Sequence, residues 1–265
     1  MNLALALPSP SSVQIAMGLL ALLVFYGWLA VESSKRAVLA TQPFGVPDAI
    51  CVGILALWMI YITTQSVNST QTITLRLILA NSFLYGSLIL CIFGVIGFQR
   101  HSAISIFQLQ PSRFPSAAAS GLLWLLAIYP LILAVQQTIQ HFAENNDDAQ
   151  LIVRFFVDHP DLKNRISVIL MAVVVAPIAE EIIFRGYLYG VMRRYCGRIP
   201  ALLFSSLLFA AIHGNLSALP GLFILAVTLC LLYERTGSLW ANITLHAAFN
   251  TLTIVALILW PGASS

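Results

Sequence analysis

Three short polar clusters interrupt apolar stretches in the last third of the chain. They are Glu180 and Glu181 followed by Arg185, Phe209 followed by His213, and His246 followed by Asn250. Ionisable side chains are costly in hydrocarbon, so at membrane depth they face one another, a cavity or a substrate. Carboxylates and imidazoles can transfer protons, and an amide can donate to an oxygen that gains negative charge. The clusters therefore indicate a functional site.

The spacing within the first cluster predicts different roles for the two glutamates. Residues four apart share a helix face, so Glu181 and Arg185 can form an ion pair, whereas Glu180 is rotated by about 100° and points elsewhere. We expect Glu181 to be structural and Glu180 to be free to act as a general base. An ordinary ion-paired helix end near the membrane interface is the alternative interpretation.

The two histidine clusters offer further groups to the same site. His213 follows Phe209 by one helical turn, so the aromatic ring can orient the imidazole. His246 and Asn250 also lie four residues apart, and both can donate hydrogen bonds to one oxyanion. The structural alternatives are a hydrogen-bonded packing histidine and polar bonds between membrane helices.

The composition places these clusters in a membrane protein. Hydrophobic residues make up 59% of the 265 residues and charged residues only 9%, far below the roughly 25% charged residues of soluble domains. A transmembrane helix needs about 20 apolar residues, and we predict an all-α bundle of about eight such helices. The apolar stretches lie at 13–31, 48–64, 77–98, 117–138, 166–190, 200–214, 219–233 and 239–260.

We predict three regions within one integral membrane domain. Helices 1–4 occupy residues 1–140, a polar loop occupies 141–165, and the motif-bearing helices occupy 166–260. The first twelve residues lack the basic region of a cleaved signal peptide, so we expect the first apolar stretch to remain as a span. The sixth and seventh stretches are short, which allows a tilted or partly re-entrant pair.

The basic residues predict the orientation of this multi-pass protein. If all eight stretches span, one face carries nine of the 13 Lys and Arg residues and the other carries four. The first set is Lys35, Arg36, Arg100, Arg113, Arg185, Arg193, Arg194, Arg198 and Arg235, and the second is Arg76, Arg154, Lys163 and Arg165. The positive-inside rule then puts the first face in the cytoplasm, as in a plasma or inner membrane protein, with the site opening toward it.

Two other classes of site are not indicated. No run of Lys and Arg follows a phosphate backbone, which excludes nucleic acid as an expected partner. The four cysteines show neither a paired framework nor CxxC zinc spacing, and we interpret them as packing residues.

The three clusters, in their order and spacing, resemble the CPBP family of intramembrane proteases. This family includes the type II CAAX prenyl endopeptidases and the bacteriocin-processing and immunity proteins known as Abi. Its pattern is a double glutamate followed by three residues and an arginine, then Phe-x-x-x-His, then His-x-x-x-Asn. The matching positions are Glu180, Glu181, Arg185, Phe209, His213, His246 and Asn250, and the resemblance covers roughly residues 166–256.

The resemblance implies peptide hydrolysis by a water molecule that Glu180 activates together with His213. It also implies that His246 and Asn250 stabilise the oxyanion, with Glu181, Arg185 and Phe209 as structural support. Zinc held by Glu180, His213 and His246 is conceivable as a three-ligand site, but no HExxH motif occurs and we expect no metal. The expected partners are a membrane-anchored peptide or protein substrate, in some relatives prenylated, and the lipid bilayer.

Two functions from other classes remain open from the residues alone. A noncatalytic membrane protein, such as an immunity factor, scaffold or transporter, could keep the same cluster for structural reasons. A transporter more often shows broken helices related by an internal repeat, and we find no repeat. A serine protease of the rhomboid type is disfavoured because Gly237-Ser238 lies in a predicted polar turn rather than on a buried helix.

Overall fold

A computed structural model describes residues 43–67, 74–142, 155, 156, 159 and 161–259, and this part of the chain is helical without strands. The all-α prediction is therefore confirmed. The helices are α1 (Val46–Val67), α2 (Leu75–Phe98), α3 (Ala103–Ile106), α4 (Phe114–Phe142), α5 (Leu162–Cys196), α6 (Arg198–Ala211), α7 (Leu219–Thr236) and α8 (Leu239–Leu259). A single 3₁₀ turn, Pro111–Arg113, precedes α4. The predicted helix at 13–31 lies outside the described residues.

Six helical stretches in the described residues are long and apolar enough to cross a membrane. They comprise α1, α2, α4 with the short α3 before it, α5, α7 and α8. Helix α6 has 14 residues and is therefore only about 21 Å long, short of a hydrocarbon core of about 30 Å. The protein is thus an integral membrane protein, but the predicted count of eight spans is not confirmed. The sixth stretch is short, as expected, whereas the seventh forms α7, whose 18 residues are long and apolar enough to cross a membrane.

The ends of the predicted polar loop 141–165 are helical. Helix α4 continues to Phe142, and α5 already begins at Leu162 because Asp161 caps it, accepting a hydrogen bond from the Asn164 backbone amide at 3.0 Å. This bond lowers the pKa of the exposed Asp161 carboxyl below its ordinary value. Most of the loop between these ends lies outside the described residues, and the division into three regions stays a prediction.

Helix α5 is the central element of the bundle. It contacts α1, α2, α6, α7 and α8, while α4 packs against α7 and α8. Its side chains from Ile182 to Val191 are all buried. Two π-helical segments, Met171–Val175 and Glu181–Tyr189, widen it locally. Such segments are rare and frequently occur at functional sites.

Close approach of α4 and α8 depends on a glycine. A Cβ atom at Gly121 would lie 2.4 Å from the carbonyl oxygen of Ala241, so only glycine permits the observed backbone separation. Small residues allow such contacts between membrane helices, where van der Waals packing is a main source of association. This contact packs α8, which carries His246, closely against α4.

The ends of α5 and α7 lie on the same side of the bundle, as the loop pattern predicts. Glu234 near the end of α7 is fully buried, and Arg198 at the start of α6 contacts its carboxylate at 2.8 Å. Arg193 near the end of α5 lies 3.8 Å from the same carboxylate, and Tyr189 donates its hydroxyl to it at 2.5 Å. One buried acid thereby joins the C-terminal ends of two helices to the N-terminal end of a third.

Candidate active site

Glu181 is the centre of a buried polar network. Its side chain is 0% exposed, and Arg185 Nη1 donates to its Oε1 at 2.9 Å. Asn242 Nδ2 donates to Oε2 at 3.2 Å, and His246 Nδ1 lies 2.9 Å from Oε1. The predicted ion pair between Glu181 and Arg185 is confirmed. The pair forms even though both residues lie in a π-helical segment.

The guanidinium of Arg185 is held by more than the carboxylate. It is fully buried, and its Nη2 donates to the carbonyl oxygen of Ala226 at 3.3 Å. Its Cζ lies 4.3 Å from the centre of the Phe209 ring, within the range of a cation–π interaction. Phe209 therefore supports the cation directly, in addition to the orienting role expected for it.

His246 connects the two glutamates. A carboxylate can only accept, so the bond to Glu181 places a proton on Nδ1 of the imidazole. The other ring nitrogen, Nε2, lies 3.8 Å from Oε2 of Glu180. Carboxylates that bind one nitrogen of a histidine fix its orientation and leave the second nitrogen for chemistry. Glu181 therefore orients His246 toward Glu180.

Glu180 has a different environment from its neighbour. Its side chain is 8% exposed, and no arginine pairs with it in the described part of the chain. Its Oε1 accepts a hydrogen bond from the Tyr85 hydroxyl at 2.8 Å, while Oε2 faces His246. The expectation that Glu180 points away from Arg185 is confirmed. Its role as a base stays a prediction.

His213 contacts Phe209, and Phe209 in turn contacts His246. Its Nδ1 lies 2.7 Å from the Phe209 carbonyl oxygen, and the two rings have centroids 4.9 Å apart. The same Phe209 ring contacts His246 at 5.7 Å between centroids. A carbonyl accepts, so Nδ1 of His213 carries the proton and Nε2 is left as an acceptor. No hydrogen bond links His213 to Glu180 within the described residues.

Asn250 is turned toward a neighbouring helix. Its Nδ2 donates to the carbonyl oxygen of Ala172 at 2.7 Å, in the first π-helical segment of α5. His246 and Asn250 therefore both contact α5, but at different positions along that helix, and they do not bind the same atom. An amide nitrogen has two N–H groups, so one remains free when Ala172 accepts the other. The oxyanion role of Asn250 stays a prediction.

Two residues of the network do not belong to the motifs read from the sequence. Asn242 precedes His246 by four residues, so a polar stripe of Asn242, His246 and Asn250 at successive turns of α8 was visible in the sequence. Tyr85 lies on α2, in a half of the chain that carries no motif, and only the tertiary structure brings it to Glu180.

The residues considered for zinc do not form a cluster of ligands. Among residues 43–67, 74–142, 155, 156, 159 and 161–259, no three His, Cys, Asp or Glu side chains are grouped so that they could hold one metal ion. Both imidazoles already use Nδ1 for hydrogen bonds. Only Nε2 of each ring could face a metal, a water molecule or a substrate.

Ser238 has no catalytic setting. It lies in the turn between α7 and α8, as expected, and donates its hydroxyl to the carbonyl oxygen of Gln108 at 3.1 Å. Neither a histidine nor a carboxylate contacts it in the described part of the chain.

Comparison with known proteins matches the region that holds this network. Residues 162–252 match the family model described as "Type II CAAX prenyl endopeptidase Rce1-like". We call this segment, which is similar to that family, the Rce1-like segment. The match confirms the resemblance drawn from the three clusters and covers nearly the same residues. Every residue named above for catalysis or its support, from Glu180 to Asn250, lies within the Rce1-like segment, whereas Tyr85 lies outside it.

Two curated proteins are similar to part of the chain. A protein of Bacillus subtilis (strain 168) named "Putative membrane peptidase YdiL" is 33% identical over 87 residues, which are 33% of this chain and 36% of that protein. An "Uncharacterized 24.3 kDa protein" of Escherichia coli is 33% identical over 111 residues, which are 39% of this chain and 50% of that protein. The chain therefore aligns with half or less of each of these relatives. No solved structure matches it significantly.

Proposed function

We propose that this protein is an intramembrane endopeptidase that hydrolyses peptide bonds of membrane-associated proteins or peptides. The observation that carries the proposal is the contrast between two adjacent glutamates. Arg185 neutralises Glu181, which binds His246, whereas Glu180 keeps a carboxylate oxygen 3.8 Å from Nε2 of the same histidine. A buried carboxylate without a cationic partner is costly, and such groups mark functional sites. The Rce1-like match supports the same class of activity.

In the proposed reaction, Glu180 is the general base. It takes a proton from water while the water oxygen bonds to the carbonyl carbon of the scissile peptide, and the carbonyl oxygen becomes negative. The protonated Glu180 then gives its proton to the amide nitrogen as the carbon–nitrogen bond breaks. The products are a new carboxyl terminus and a new amine, and Glu180 returns to its starting state.

The histidines and Asn250 assist these steps. Nε2 of His213 accepts a hydrogen bond from the attacking water, since Nδ1 is held by Phe209. His246 donates from Nε2 to the oxyanion, a step that needs a second proton on the ring because Nδ1 already donates to Glu181. The second N–H of Asn250 donates to the same oxyanion, while the bond to Ala172 keeps the amide in place.

The proposed mechanism uses no metal. Glu180 already has a hydrogen-bond donor in Tyr85 and an imidazole nearby, so a carboxylate base is sufficient to activate water. Purified protein treated with a strong chelator, and then freed of it, is expected to cleave at an unchanged rate. A loss of activity that returns only when zinc is added would contradict this part of the proposal.

We propose prenylated proteins of the CAAX type as the substrate class, because the matching family model carries that description. The test uses protein in liposomes and two fluorogenic reporter peptides of identical sequence, one farnesylated on cysteine and one not. Cleavage of the farnesylated reporter alone supports the substrate class. Equal cleavage of both reporters supports a peptidase that does not recognise the prenyl group.

The activity itself is tested with Glu180→Gln, which keeps the size of the side chain but removes the base. We expect cleavage to fall to background while the thermal melt in detergent stays close to that of the wild type. Membrane proteomics of cells with wild-type or Glu180→Gln protein extends the test to natural substrates, because new peptide termini should appear only with the wild type. If neither protein cleaves the reporter and the termini are the same, the noncatalytic alternative is favoured, whereas equal cleavage by both proteins would contradict the glutamate-base mechanism.

We also propose that the site opens toward the cytoplasm. The ends of α5 and α7 and the start of α6, which Glu234 joins, carry Arg193, Arg194, Arg198 and Arg235. Such a concentration of arginine marks the cytoplasmic side of membrane proteins.

A further inference from the structure

The Tyr85 hydroxyl is the only hydrogen-bond donor that the described residues supply to Glu180. It binds Oε1 at 2.8 Å and leaves Oε2 directed at His246. Tyr85 comes from α2, 95 positions earlier in the chain and outside the Rce1-like segment. The two oxygens of the proposed base are therefore not equivalent, because one is occupied by a fixed donor.

The packing of α2 fixes the position of this donor. Ile78, Tyr85, Ile92 and Ile96 are spaced by seven, seven and four residues and so lie along one helix face. The three isoleucines are buried. One turn before Tyr85, the hydroxyl of Ser82 contacts Met171 Sδ of α5 at 3.3 Å. Tyr85 therefore lies between the buried Ile78 and Ile92 on the face of α2 that packs against the bundle.

The rest of α2 is typical of a lipid-facing helix. Leu79, Phe83 and Leu90 are between 61% and 79% exposed, as expected for side chains that meet acyl chains. Packing does not require a hydroxyl on the inner face of such a helix, and phenylalanine would fill the same volume. The hydroxyl is therefore best explained by its bond to Glu180.

A tyrosine hydroxyl is a more suitable hydrogen-bond donor to a catalytic base than an arginine guanidinium. Arg185 supplies a positive charge to Glu181 and forms a buried ion pair with it at 2.9 Å. A tyrosine hydroxyl is neutral, so it orients the Glu180 carboxylate without cancelling its charge. The two neighbouring glutamates thus have donors of different charge, in agreement with a structural and a basic role.

We propose that Tyr85 is a positioning residue for Glu180: its hydroxyl holds Oε1 so that Oε2 takes the proton from water. The inference rests on the proposed function, since it assumes that Glu180 is the base. A misplacement of a catalytic group by about 1 Å can cost on the order of 100-fold in rate. Loss of the hydroxyl should therefore lower kcat by about 10-fold to 100-fold and change KM by less than about 3-fold.

The test variant is Tyr85→Phe, which removes only the hydroxyl. The matched control is Tyr187→Phe, because Tyr187 also donates to a buried carboxylate, Oδ1 of Asp48, at 3.0 Å. Asp48 keeps the Gly45 amide and the Gln99 side chain as donors, so this control protein should remain folded. We expect Tyr187→Phe to keep kcat within about 2-fold of the wild type. Thermal melts of both variants check that the fold is retained.

A second measurement separates positioning from general destabilisation. Glu180→Asp shortens the carboxylate by one methylene and moves it away from the tyrosine. If Tyr85 acts through Glu180, then Tyr85→Phe should reduce the residual kcat of the Glu180→Asp protein by less than about 2-fold. If the double variant instead loses kcat by the product of the two single losses, Tyr85 acts independently of Glu180 and the inference is overturned.

The outcomes distinguish this inference from the proposed function. An active wild type with an equally active Tyr85→Phe protein overturns the role of Tyr85 and leaves the peptidase intact. An active wild type whose Tyr85→Phe and Tyr187→Phe proteins lose kcat equally also overturns it, because the effect is then not specific to Glu180. A wild type that cleaves no reporter, or an active Glu180→Gln protein, overturns the proposed mechanism and the inference together.

Discussion

Glu181→Gln tests the division of roles between the glutamates most directly, because the change removes a charge without changing the shape. Glu181 and Arg185 are both 0% exposed, and the substitution leaves the arginine without its counter-charge. Breaking a buried ion pair from one side costs about 3–5 kcal/mol. Arg185 keeps the Ala226 carbonyl and the Phe209 ring as partners, which places the expected loss near the lower end, about 3 kcal/mol.

Glu180→Gln is the matched control for this experiment. Glu180 is the preceding residue and is also buried, but no arginine of the described residues pairs with it, and a glutamine can still accept from Tyr85. Its free energy of unfolding should change by no more than about 1 kcal/mol. The double variant Glu181→Gln with Arg185→Met should also return to within about 1 kcal/mol of the wild type, because removal of both charges leaves neither unpaired.

Equilibrium unfolding in mixed detergent micelles measures these differences, with cleavage of the reporter recorded on the same samples. The expected pattern is a destabilised Glu181→Gln protein and a stable but inactive Glu180→Gln protein. Equal destabilisation by the two substitutions would refute the assignment. A double variant that loses as much stability as the two single changes added together would refute the electrostatic explanation.

Asn250→Ala should lower kcat by about 10²–10³-fold with KM nearly unchanged, as for other oxyanion donors, and steady-state kinetics on the reporter would reveal a substrate-binding role if KM rose instead. Gly121→Ala should cost about 1–3 kcal/mol because its Cβ would meet a carbonyl of α8. Gly94→Ala should not destabilise, because no atom of the described residues lies within 4 Å of its Cβ, and melts that rank the two variants the other way would contradict the packing. Cysteines at Arg194 and Lys163, near opposite ends of α5, should react with an impermeant reagent from the cytoplasm and from outside respectively, and the opposite labelling would reverse the proposed orientation.

The local parts of the site were predictable from the sequence because they depend on short spacings. Glu181 and Arg185 are four residues apart on one helix, so their pairing follows from helix geometry alone. The direction of Glu180 away from Arg185 follows from the same geometry. The long apolar stretches likewise predicted helices, since lipid leaves backbone polar groups no other partners than those within the helix.

The tertiary structure decided every contact that joins distant segments. Tyr85 meets Glu180 across 95 positions, and Asn250 meets the Ala172 carbonyl across 78. No periodicity within one helix contains such information, because it depends on which faces of different helices pack together.

The sequence by itself therefore determined the class of protein, the helices and the chemistry available near Glu180, since composition and local spacing act within one segment. Only the tertiary structure decided that His246 lies between the two glutamates, bound to Glu181 at 2.9 Å and 3.8 Å from Glu180. The physical reason is that a hydrogen bond requires two groups within about 3 Å. In a helical membrane protein, the packing of entire helices against one another sets that distance.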